Sequence, residues 1–158
     1  MLISETMKKI PLLKYSHQEN KHIEQYSEKQ LKVIVYDTVR SIKDPEKPFN
    51  LEDLDVVYED GIEVSKGLNG DEYVYRIRVE FKPTIPHCNL ATLIGLCIRM
   101  KLKENLHVRY KLTIRVKEGS HVLADDVNKQ INDKERVAAA MENKSLKQFV
   151  LNCIKNEE

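Results

Sequence analysis

An α+β domain, with a small mixed sheet of three strands packed by helices, is what this sequence predicts, and three observations predict it. Tyr73, Tyr75, Ile77, Val79 and Phe81 alternate with Val74, Arg76, Arg78, Glu80 and Lys82, the period of a strand with one buried face. Val108, Tyr110, Leu112, Ile114 and Val116 repeat that pattern against Arg109, Lys111, Thr113, Arg115 and Lys117. Between the two runs, Asn89 to Asn105 is apolar on most sides, as a buried helix would be. Strand, helix and strand in that order imply a right-handed crossover and a parallel pair.

Taken in order, residues 1–27 read as a flexible tail, because Ser16-His17-Gln18-Glu19-Asn20-Lys21-His22 is polar and has no apolar period. The folded domain then occupies 28–158. From Glu28 a helical period places Leu31, Ile34, Val35, Thr38, Val39 and Ile42 on one face. It has to stop near Lys43, since Pro45 disfavours a helical Asp44 and has no N–H to donate. Asp44-Pro45-Glu46-Lys47-Pro48 is then a stiff loop, and Asn50 is expected to cap a short turn that points Leu51 and Leu54 inward. Val56–Ser65 reads as a strand, joined to the clearest strand by the Asn-Gly chemistry of Gly67-Leu68-Asn69-Gly70-Asp71. Gly95 costs the buried helix about 1 kcal/mol relative to Ala, which predicts that another backbone passes close. After Gly119 a helical region runs from Ala124 to Asn143 with an interruption at Asn132-Asp133, and a last helix sets Leu146, Phe149, Val150, Cys153 and Ile154 on one face.

Composition excludes several classes. With 158 residues, 41% hydrophobic and 32% charged, the chain can bury one core and is neither collagen-like nor wholly disordered. The apolar stretch around Leu90–Leu102 is broken by Arg99 and Lys101, so no segment reads as a bilayer span. Lys plus Arg number 26 against 25 Asp plus Glu, which gives no support to wholesale binding of nucleic acid or anionic membrane. Three cysteines, none in a CxxC pair, point to a reducing compartment, and Met1–Lys14 does not read as a secretory signal. The cytoplasm is the expected location, with nuclear presence open.

The chemistry concentrates at Pro83-Thr84-Ile85-Pro86-His87-Cys88-Asn89. Two prolines fix the approach to the buried helix and deliver Cys88 to its start, where unpaired N–H groups and an imidazolium would favour thiolate. Two readings stand: a reactive thiol, or a small apolar cysteine beside a capping Asn89. Cys97 and Cys153 sit in apolar faces and read as core. His87 and His121 fall in loops at element ends and would supply two zinc ligands, short of a tetrahedral set. Cys88, Asp125, Asp126 or a partner chain would have to complete it, and a fortuitous ion is an equal alternative. The basic strand faces suggest RNA only weakly, because Glu80 dilutes the field and no aromatic is expected there for stacking. No phosphate loop, nucleophile elbow or HExxH is present. An enzyme or redox sensor would have only Cys88 and His87 to use, adjacent side chains that diverge.

Four stretches carry a resemblance. They are Ile42-Lys43-Asp44-Pro45-Glu46-Lys47-Pro48, Leu51-Glu52-Asp53-Leu54, Pro83-Thr84-Ile85-Pro86-His87-Cys88-Asn89-Leu90-Ala91-Thr92-Leu93-Ile94-Gly95-Leu96, and the run Val127–Asn143. In that order they resemble the cytosolic iron–sulfur assembly component 2 family, over about residues 30–155. Ile94-Gly95-Leu96-Cys97-Ile98-Arg99 and Ile131-Asn132-Asp133-Lys134 look more like its A-type paralogue than its B-type.

The resemblance implies an iron–sulfur assembly-type domain that acts as an adaptor rather than an enzyme. Such an adaptor binds a WD40-repeat propeller subunit and helps deliver clusters to cytosolic apoproteins, the aconitase-type iron regulatory protein among them for the A-type form. The family's reactive cysteine maps onto Cys88 and its functional loop onto Asp44, Pro45 and Glu46. No permanently bound cofactor is implied, but a transient iron–sulfur cluster is. Some A-type members form domain-swapped homodimers and bind zinc through histidines that map onto His87 and His121. The acidic zinc ligands of those members fall here on Gln148 and Leu151, which leaves the set incomplete.

Overall fold

Ser27 opens the first helix by a reciprocal cap: its hydroxyl accepts the Gln30 N–H at 3.1 Å while the Gln30 side chain accepts the Ser27 N–H at 2.9 Å. A computed structural model of the protein describes residues 26–86 and 90–156. Tyr26 is tied in as well, its carbonyl accepting the Tyr75 hydroxyl at 2.6 Å. Both residues therefore belong to the folded body, ahead of the boundary expected from sequence. Residues 1–25, most of the expected tail, lie outside the described residues.

Helix α1 (Glu28–Arg40) buries Leu31, Val35 and Val39 against strand β1 (Val57–Asn69). Strand β1 pairs antiparallel with β2 (Glu72–Phe81), and β2 pairs parallel with β3 (Tyr110–Val116), giving a mixed sheet of order β1-β2-β3. Helix α2 (Leu90–Asn105) makes the crossover between the parallel strands. Three short helices follow: α3 (Ala124–Asn132), α4 (Lys134–Glu142) and α5 (Lys144–Ile154). The expected α+β class, parallel pair and helix interruption are all present. Asp133 makes that interruption, its side chain accepting the N–H groups of Glu135 and Arg136 to start α4. The core lies between the inner sheet face and helices α1, α2, α3 and α5, with Phe81, Ile77, Ile98, Leu102 and Ile114 fully buried.

Several details differ from the sequence reading, each for a physical reason. The hairpin closes with Asn69 opposite Glu72, so Gly70-Asp71 is the turn pair, and Gly70 (φ 66°) takes the left-handed position. Strand β1 consequently runs on to Asn69. Tyr73, expected inside, is 47% exposed because it lies at the hairpin tip beyond the reach of the helices. Near its other end β1 carries a bulge between Val57 and Ile62. A Cβ at Gly61 would meet the Glu80 carbonyl oxygen and the Tyr58 ring, each at 2.8 Å. The neighbour of Gly95 is a side chain rather than a backbone: a Cβ there would stand 2.7 Å from Ile131 Cγ2. Asn50 does not act as the expected cap; its own N–H donates to Asp53 Oδ2 at 3.4 Å. Strand β3 begins at Tyr110 rather than Val108. In α5 the buried stripe is Val150, Cys153 and Ile154, and Phe149 is 39% exposed.

Candidate functional site

Strands β2 and β3 run parallel, and both end at the same edge of the sheet. In a crossover of this kind the carboxyl ends of the strands and the start of the connecting helix together make the natural crevice. Here that crevice is bordered by Pro83–Pro86 after β2, by Leu90 at the start of α2, and by the loop at 117–123 after β3. His87, Cys88 and Asn89, of which the first two are sequence-derived site residues, lie outside the described residues.

The Asp-Pro-Glu loop is built to be rigid. Asp44 is 8% exposed, and its Oδ1 accepts the N–H groups of Glu46 at 2.9 Å and Lys47 at 2.8 Å. The fixed φ of Pro45 and this pair of bonds hold the turn from both sides. Its base is anchored by the Lys43–Asn50 bridge and by the Lys43 N–H donating to the Cys153 carbonyl at 3.0 Å. The loop is thereby seated on the last turn of α5. Asp44 also lines a small cleft with Pro83, Thr84, Ile85, Leu90, Ala91 and Ile94. The described residues on both sides of 87–89 thus face Asp44, while Glu46 is exposed to solvent.

The second wall comes from the loop after β3. Val122 donates its N–H to the Pro86 carbonyl at 3.1 Å, which joins this loop to the diproline segment. His121 is 8% exposed, and its Nδ1 accepts the Leu123 N–H at 3.0 Å. That bond engages Nδ1 within the loop itself and holds the imidazole against the start of α3. Among the described residues no three His, Cys, Asp or Glu side chains come together as a metal group, so Asp125 and Asp126 do not complete one with His121. Gln148 donates to Asn152 on its own helix, and Leu151 packs against the core. The described residues alone do not fit a zinc ion.

Cys97 and Cys153 are buried and free, as expected of core cysteines. They form a hydrogen-bonded thiol pair that links α2 to α5. Donation to Cys153, followed by burial, pushes the Cys97 thiol far up; accepting that bond pushes Cys153 down, against burial and the charge of Asp44. The acidic loop therefore lies close enough to the pair to disfavour thiolate at both sulfurs.

The outer sheet face is not a free basic surface. Arg109 pairs with Glu72, Arg78 with Glu63 at 3.6 Å, and Lys117 sits over the Tyr58 ring at 5.5 Å. Tyr58 also donates to Glu80 at 2.6 Å, so an aromatic does occupy this face, contrary to expectation, but with its hydroxyl end committed.

Sequence reasoning missed the polar residues that hold the site's frame. Asn132 accepts the Ile114 N–H at 2.9 Å and donates to the Ile114 carbonyl at 2.7 Å, and Asn128 accepts the Val116 N–H at 2.8 Å. Arg99 reaches the Ile131 carbonyl at 2.8 Å, and buried Lys101 reaches the Ile154 carbonyl at 2.5 Å. Two charges interrupting the apolar stretch Leu90–Leu102 were the available signal for the last two.

Comparison with known proteins then gives the family. No family model matches the chain. It is 56% identical over 129 residues to MIP18 family protein galla-1 of Drosophila melanogaster, a match covering 82% of this chain and 58% of that protein. The chain thus spans little more than half the length of the fly relative. Identity to Protein AE7 of Arabidopsis thaliana is 54% over 124 residues, covering 78% of this chain and 75% of the plant protein. Identity to cytosolic iron-sulfur assembly component 2B of Mus musculus is 46% over 120 residues, covering 76% and 70%. With 46% identity over 141 residues to MIP18 family protein FAM96A of Dictyostelium discoideum, covering 80% of this chain and 93% of that protein, the chain belongs to the MIP18 family.

Proposed function

We propose that the protein is a non-enzymatic adaptor of cytosolic iron–sulfur assembly. In this reading it docks a WD40-repeat propeller subunit, receives client apoproteins such as the aconitase-type iron regulatory protein, and offers Cys88 as a transient thiolate ligand or recognition group. The cluster is cargo rather than a resident cofactor, and a thiol that ligates it gives up its proton. The A-type role is the finer form of the same proposal.

What supports the reading is the mouse relative's name together with one feature of the site. A nearly buried Asp44, held by two backbone N–H groups, faces the described residues on both sides of Cys88. A rigid acidic turn beside the start of a helix is a docking edge more than a reaction centre. Among the described residues it gathers no metal group.

The test is affinity purification of the full chain from cytosol under anaerobic conditions, with iron analysis and mass spectrometry of co-purifying proteins. Wild type should recover a propeller subunit and client proteins. Cys88→Ala should keep the propeller but lose iron delivery to the client, whereas Asp44→Lys should weaken capture. Turnover by the isolated chain, or recovery of no propeller subunit in mild buffer, would end the adaptor reading.

A further inference from the structure

Away from that crevice, a groove of about 390 Å³ opens between α2, β3, α4 and α5. Its floor is apolar, with Met100, Tyr110, Leu112, Val137 and Met141. Its rim carries Arg99, Lys103, Lys134 and Lys147, and no acidic side chain lines it. Arg99 is committed to Ile131 and Asn132. The three lysines enter no salt bridge among the described residues. An apolar floor under an unbalanced positive rim selects a ligand that is apolar in the middle and acidic at its flanks.

The same groove borders an open sheet edge. The Tyr75 N–H donates to the Arg109 carbonyl and the Lys117 N–H to the Phe81 carbonyl, so the odd-numbered residues of β3 bond towards β2. The even-numbered residues point their backbone groups outward. Asn132 and Asn128 on α3 take up those of Ile114 and Val116. At Tyr110 and Leu112 no such clamp is present among the described residues, because α3 ends at Asn132. One half of the edge is closed by a helix and the other half is left to pair.

The geometry points to a peptide-docking site: an extended segment of a partner protein, apolar residues alternating with aspartate or glutamate, adds to β3 at Tyr110–Leu112 and sinks its apolar side chains into the groove. Backbone pairing supplies affinity and the groove supplies selection, as in other strand-addition sites. Charge chooses the occupant. A second copy of β3 would bring Lys111 and Arg115 against their own kind, which disfavours self-pairing. An acidic strand would instead meet Lys111 on the outer face and Lys134 and Lys147 at the rim. This inference does not rest on the adaptor reading, since none of its residues belongs to the Asp44–Cys88 crevice.

The test uses the full chain and a synthetic, end-blocked peptide of four leucine-glutamate repeats, titrated by calorimetry beside a leucine-lysine counterpart. The glutamate peptide should bind and the lysine peptide should not. Binding should weaken several-fold between low and high salt. The exposed-site double variant Lys134→Glu/Lys147→Glu should weaken it about tenfold and admit the lysine peptide. Ala138→Trp, which fills the groove from its exposed wall, should abolish binding while leaving the circular dichroism spectrum unchanged. On binding, amide exchange at Leu112 should slow. Equal binding of both peptides, indifference to these variants, or a Leu112 amide that stays unprotected would overturn the proposal. So would protection of Leu112 that arises only with concentration, through dimers seen by sedimentation.

Discussion

At Asp44 a single carboxylate oxygen accepts two backbone N–H groups inside a turn that is nearly buried. Removing that one acceptor leaves both donors to find water, which costs about 1–2 kcal/mol. Asp44→Ala should therefore lower the urea midpoint, while Asp44→Asn, which keeps a carbonyl oxygen in place, should recover most of the loss. A midpoint equal in wild type and Asp44→Ala would show that solvent already serves these donors. Gly95 gives the opposite lesson about a residue that contributes by what it lacks. Gly to Ala in a helix gains about 1 kcal/mol of propensity. Here the new methyl would sit 2.7 Å from Cγ2 and 3.2 Å from Cβ of Ile131, which is wholly buried and has little room to yield. Overpacking of that kind costs about 1–3 kcal/mol, so Gly95→Ala should be net destabilising. Trimming the neighbour by Ile131→Val should recover part of the difference in a double-mutant cycle, and strict additivity would refute the clash. The glycine was legible as a demand for close approach, but its partner was not, because Ile131 lies on an element far along the chain.

Among elements, the strands and long helices were read from period alone, since alternation and an all-round apolar helix follow directly from which faces are buried. The short-range polar fastenings were not. Asn128 and Asn132 lie on the exposed-looking side of an amphipathic helix, and only the fold reveals that this side runs along the edge of β3. Asn132 exchanges two bonds with Ile114, accepts from Arg99 at 3.0 Å and donates to the Asn128 carbonyl at 2.7 Å. Asn132→Ala should destabilise by about 3 kcal/mol, given about 1 kcal/mol for each net hydrogen bond and their mutual dependence. Faster amide exchange at Ile114 should accompany the loss, and unchanged exchange would mean that the clamp is not what closes that edge. The bulge between β1 and β2 carries a pH dependence. Burial first, then the bond to Glu80 and its charge, push the Tyr58 hydroxyl well above its ordinary 10.0. With the folded value above the unfolded one, this stabilisation is complete below pH 10.0 and is lost as pH rises from there through the folded value. The denaturation midpoint should fall as pH rises above about 10, and Tyr58→Phe should make that fall shallower. Identical slopes in the two proteins would show that Tyr58 does not contribute.

For the molecule as a whole, the crevice is assembled from stretches that are remote in sequence. Residues 42–47 rest on the carbonyl of Cys153, the Pro83–Pro86 segment is joined to Val122, and Asp44 faces both that segment and the start of α2. This explains why Asp44, His121 and the diproline segment could each be singled out from the sequence while their arrangement could not. Each is a loop whose composition announces constraint, but the contacts that bring the loops together are long-range. Lys101 holds that arrangement at a distance. The residue is 3% exposed, and its ammonium donates to the Ile154 carbonyl at 2.5 Å and to Asn156 Oδ1 at 2.6 Å, with burial lowering its pKa. It thus fastens α2 to the end of the helix that carries Cys153, and through Cys153 to Lys43 and the acidic turn. Lys101→Met keeps the volume and removes both the charge and its burial cost. Global stability should therefore change by no more than about 1–2 kcal/mol, while the tether itself disappears. Amide exchange at Lys43, whose N–H rests on that helix end, should then accelerate by about an order of magnitude, consistent with local opening. The amides of Val79 and Ile114, in the sheet, should keep their protection. A Lys43 amide that exchanges no faster would show that the acidic turn is held by its own hydrogen bonds and that the far end of α2 has no part in presenting it.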